Sequence, residues 1–97
     1  MTRTEHLLTI AGEECAEVAQ RTSKAARFGL KEIQPGQPLD NAERIVQEFT
    51  DLVAVLSMLG IVEVDDCNVY VNPVAIWDKR VKVEKYLELS REQGTLS

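Results

Sequence analysis

Five carboxylates fall in two short clusters: Glu13, Glu14 and Glu17 in one, Glu48 and Asp51 in the other. In each cluster an acid recurs after three residues, which on a helix sets Glu14 beside Glu17 and Glu48 beside Asp51. Acids crowded on one face repel one another and lose hydration, so some would have to hold protons with raised pKa values. A divalent cation relieves that crowding more directly, and hard oxygen donors suit Mg²⁺ or Mn²⁺. The same acids also read as a solvated face with basic neighbours such as Arg21 and Arg44. The choice turns on whether the two clusters meet in space.

Three helices must position them. Thr2 and Glu5 have capping-box spacing, and Gly29 is a natural stop, so the first helix is expected from about Thr4 to Phe28. Gly29, Pro35, Gly36 and Pro38 make the next stretch, up to Asp40, a connecting loop. Asp40 and Glu43 repeat the capping spacing and open a second helix that runs to Leu59, with Gly60 at its end. From Ile61 to Val71, Val62/Val64 and Val69/Val71 alternate around Asp65-Asp66-Cys67-Asn68, the pattern of a short β-hairpin or an extended loop. Asn72-Pro73 then starts a third helix that ends near Glu92, before Gly94. The chain reads as one domain, residues 1–97, with no repeat and no linker.

Each of the first two helices carries two stripes. Ile45, Phe49, Leu52, Leu56 and Leu59 form an apolar packing seam, matched by Leu8, Ala11, Cys15 and Val18 on the first helix. One residue earlier runs the second stripe: Leu7, Ile10, Glu14, Glu17, Arg21 and Lys24, against Arg44, Glu48, Asp51, Val55 and Met58. Folding the helices antiparallel levels Glu14 with Asp51, Glu17 with Glu48, Ile10 with Val55, Leu7 with Met58, and Arg21 with Arg44. Cys15 is expected to be a small buried group in the seam and Trp77 a core aromatic, or else a stacking surface.

Glu13-Glu14-Cys15-Ala16-Glu17, followed after a spacer by Glu48-Phe49-Thr50-Asp51, resembles the EExxE…ExxD signature of the all-α nucleoside triphosphate pyrophosphohydrolases, the MazG-like superfamily. The resemblance covers roughly Leu7 to Gly60 and extends weakly into the third helix. It implies Mg²⁺-dependent hydrolysis of a (deoxy)nucleoside triphosphate between its α and β phosphorus atoms, with Mn²⁺ a possible substitute. Carried over residue by residue, Glu14, Glu17, Glu48 and Asp51 become the metal ligands. Glu13 becomes a further metal contact or the base that activates water. The late helix, where Lys79 and Lys82 stand among Arg80 and Lys85, looks like the region from which the family draws phosphate contacts. A helix face solvated by its own salt bridges is the other reading of those lysines. Lys24 and Arg27 either receive the pyrophosphate end or offset the helix dipole.

From Leu52 onward the second helix is apolar almost all round, more than two other helices of so short a chain can cover. A homodimer or homotetramer with a four-helix core is therefore expected, as is common in the family. The fold class is all-α: an antiparallel hairpin plus a third helix, completed by oligomerisation. Two rivals remain. A carboxylate-bridged di-iron bundle would need an ExxH histidine, and Glu17 and Asp51 stand where it would be. A non-enzymatic helical interaction module would use the acids only as a solubilising face.

Composition fits this picture. Sixteen acidic against eleven basic residues give a net charge of −5, which disfavours a nucleic-acid partner. The five motif acids equal that whole excess, and the rest of the chain is formally neutral. A hydrophobic fraction of 44% is globular rather than disordered. The uncharged apolar run from Leu52 to Val62 falls short of the roughly 18–20 residues that span a bilayer. Two cysteines make no disulfide framework, and with no apolar signal core at the N-terminus a cytoplasmic location is expected.

Overall fold

Local signals place every helix end. The structure, a computed structural model describing residues 1–97, begins with α1 (Arg3–Phe28). The Glu5 N–H donates to Thr2 Oγ1 at 3.1 Å, and the Thr2 N–H donates back to Glu5 Oε1 at 3.4 Å. This reciprocal cap satisfies two N–H groups left over at a helix start. At the far end Gly29 takes φ 99°, a conformation that suits glycine, and its N–H returns to the Ala25 carbonyl. Asp40 and Glu43 build the same cap on α2 (Asn41–Met58).

Asn41 is the most buried residue of the chain, 1% exposed. Its Nδ2 donates to the Gly29 carbonyl at 2.8 Å, and its backbone N–H donates to Glu32 O at 3.0 Å. The Ala42 N–H reaches Leu30 O at 2.9 Å. These bonds tie the start of α2 to the end of α1, so the two helices run back along each other as the antiparallel hairpin expected from sequence.

The remainder is thinner. β1 (Glu63–Val64) and β2 (Val69–Tyr70) pair antiparallel, Glu63 opposite Tyr70 and Val64 opposite Val69. Asp65 closes the turn, its carboxylate accepting from the Cys67 and Asn68 N–H groups at 2.8 Å each and from the Tyr70 hydroxyl. α3 (Pro73–Glu92) starts from an Asn72 cap that accepts from the Ala75 N–H. None of its side chains is buried, and it has no packed interface with α1 or α2. No helix is long and apolar enough to cross a membrane.

The seam between α1 and α2 differs from the expected one. Leu7, Ala11 and Ala25 are buried, with Glu14, Val18 and Arg21 half-buried between them. Leu8 and Phe49, placed in the seam by their spacing, are 51% and 53% exposed, and Cys15 is exposed too. The two stripes on α1 lie about 100° apart, and the face turned to α2 runs between them: Ala11 and Val18 come from the apolar seam, Leu7, Glu14 and Arg21 from the acid-bearing stripe, and Ile10 and Glu17 of that stripe stay exposed. Trp77 is likewise no core residue within the single chain, at 62% exposed; the Arg80 guanidinium lies over its ring, 5.1 Å from the centroid.

Candidate metal centre

Because Glu14 is half-buried against α2, the two halves of the motif meet. Glu14 from α1 and Glu48 and Asp51 from α2 each bring a carboxylate oxygen within 4.8 Å of the other two. Glu14 and Glu48 are half-buried, and Asp51 opens to solvent. The levelling of Glu14 with Asp51 is as the antiparallel register requires. Glu17 stands apart from the three, exposed one turn along α1, and Glu13 is exposed one position before Glu14.

Glu14 is the electrostatic focus. Burial raises its pKa above the ordinary value first, followed by the charges of Asp51, Glu48, Glu17 and Glu13. Its Oε2 is buried without a hydrogen-bond partner. A carboxylate oxygen shut from water, lacking a donor and facing two more carboxylates is short of a positive charge. That is the fit expected for a hard divalent cation. Oxygens around an octahedral Mg²⁺ stand about 2.9 Å apart when adjacent and about 4.2 Å apart when opposite, so the three carboxylates would draw together to share one ion.

One cation does reach the cluster, and it is neither of the lysines expected from sequence. Arg21 Nε lies 3.7 Å from Glu48 Oε1, each side chain 15% exposed. Arg44, one turn before Glu48 on α2, instead donates to Gln34 Oε1 at 2.9 Å, toward the loop. The signal for Arg21 was in the sequence, since it follows Glu14 by seven residues, two turns along the same face. Lys79 and Lys82 lie on α3, exposed and on a helix that does not pack against the hairpin. His6 and both cysteines are absent from the cluster, so its donors are oxygen only. The chain matches no protein-family profile, no curated protein and no solved structure.

Proposed function

We propose that the chain is a metal-dependent hydrolase that cleaves (deoxy)nucleoside triphosphates between the α and β phosphorus atoms, releasing a monophosphate and pyrophosphate. The observation that carries this reading is the meeting of Glu14 with Glu48 and Asp51 across the hairpin, around a buried carboxylate oxygen that lacks a partner. The resemblance of the two acid clusters to the MazG-like motif supplies the reaction. Glu14, Glu48 and Asp51 would hold Mg²⁺ or Mn²⁺, and the ion would supply positive charge against the phosphates and a more acidic water. The attacking water's oxygen bonds to phosphorus, the bridging P–O bond breaks, and pyrophosphate leaves. Glu13 and Glu17 are the carboxylates beside the cluster, free either to take the water's proton or to complete the metal shell. Lys79 and Lys82 reach the phosphates only where α3 is carried onto a hairpin.

A second copy of the chain is the natural carrier. A folded monomer of 10.9 kDa should expose about 5,600 Å², and this chain exposes 7557 Å². The difference exceeds the roughly 800 Å² per partner of a standard interface. The radius of gyration, 16.6 Å, is also larger than the roughly 12.5 Å of a compact domain of this length. Two exposed, unpaired thiols suit the reducing cytoplasm.

The test is pyrophosphate release from a panel of ribo- and deoxyribonucleoside triphosphates with Mg²⁺ or Mn²⁺. Metal-dependent turnover is expected, reduced at least about 100-fold in Glu14→Gln with the fold retained. Inactivity on every substrate by a folded protein would leave the acids as the solubilising face of an interaction module.

A further inference from the structure

We propose that Arg21 is an anion-binding residue of this centre, set to hold a phosphate oxygen of a ligand that arrives with the metal; the inference rests on the metal-dependent reading above. Arg21 and Glu48 are paired by charge, yet 3.7 Å from Nε to Oε1 is beyond hydrogen-bond reach. The Nε atom is buried and has no hydrogen-bond partner, as is Oε2 of Glu14. Buried polar groups are almost always satisfied, so two unmet groups in one centre call for a ligand, and their demands are opposite. Glu14 Oε2 needs a cation, and Arg21 Nε needs an acceptor.

The two sit on one face of α1, about 10.5 Å apart along the axis, with Glu48 reaching between them from α2. A bare divalent cation answers only the first demand. A metal-chelated di- or triphosphate answers both, with one phosphate on the ion at the Glu14 end and another extended toward Arg21. The planar guanidinium fork matches phosphate oxygens, and hydrogen bonds to such an anion are charge-assisted. Arg21 is also the cation that the hairpin itself brings to the acids, whereas Lys79 and Lys82 stand on the unpacked α3.

Binding of Mn²⁺ alone, followed by electron paramagnetic resonance, and of preformed Mn²⁺–pyrophosphate, followed by calorimetry, separates the roles. Arg21→Gln is expected to keep Mn²⁺ affinity within about threefold while weakening Mn²⁺–pyrophosphate about 10- to 100-fold, the cost of one charge-assisted hydrogen bond. Arg21→Lys, which keeps the charge and loses the fork, is expected to fall between, and it decides the matter should Arg21→Gln not fold. Unchanged Mn²⁺–pyrophosphate affinity in both variants overturns the proposal. Equal losses for the ion and its complex also overturn it, because Arg21 then acts only by positioning Glu48. Absence of Mn²⁺ binding in the unaltered chain defeats the metal reading itself, an outcome distinct from either.

Discussion

The side chain of Asn41, the first residue of α2, donates to the carbonyl of Gly29, the residue that ends α1, at 2.8 Å. This bond spans the loop and sets where α2 begins its return. From that starting level, Glu48 lies two turns along α2 and Asp51 nearly three, opposite Glu14. The acid cluster thus depends on a polar contact outside it.

Asn41→Ala should show this dependence. It removes the hydrogen bond to the Gly29 carbonyl, a loss of about 0.5–1.5 kcal/mol. A domain of this size loses roughly 4–8 °C of melting temperature per kcal/mol. Circular dichroism melts without metal read that loss. Mn²⁺ affinity should fall as well, although Asn41 touches none of the carboxylates. A variant melting like the unaltered chain would show that the loop bonds, not Asn41, hold the register.

Two acids should give opposite pH signatures. Glu14 has its pKa raised, by burial first and then by neighbouring carboxylates. The folded chain therefore holds that proton to higher pH than the unfolded chain. Metal-free stability should fall as pH climbs from near 4.5 and level off once pH passes the folded pKa. Metal affinity should rise over the same interval, because the ligand must be deprotonated. Glu14→Gln should flatten both trends, and urea melts across pH 4–8 measure them. Asp65 has its pKa lowered, by the Tyr70 hydroxyl first and then by the Cys67 and Asn68 N–H groups. Its contribution is present above the ordinary value of 3.8 and disappears as pH drops through the folded pKa. Asp65→Asn should remove that acid-side loss.

α3 gives the third test. Trp77, Val81 and Tyr86 are exposed on a helix with no packed neighbour in its own chain, and an isolated helix has little stability in water. Light scattering and sedimentation at micromolar concentration should find a homo-oligomer. Trp77→Glu should weaken it about 1,000-fold, since a buried interfacial tryptophan contributes about 2 kcal/mol and counts twice across a two-fold axis. A monomer with an intact α3 would end this reading.

Interactions between near neighbours in the chain were legible from the residues alone. Caps three residues apart, glycines at positive φ and a proline at the first helical position fixed the three helices almost to the residue, because those interactions close within one turn. The helical spacing also put Glu14, Glu17 and Arg21 on one stripe. Helix packing settles which residues of the two adjoining stripes turn toward α2, and it takes Ala11 and Val18 from one and Leu7, Glu14 and Arg21 from the other. Apolar and acidic rows run side by side, and periodicity alone favoured Leu8, Cys15 and Phe49, which in the single chain stay exposed. The burial of Asn41, the separation of Glu17 from the three converging acids and the pairing of Arg21 with Glu48 are long-range outcomes. They depend on the helix-to-helix register, which the loop bonds of Asn41 and Ala42 set and no pattern within one helix encodes.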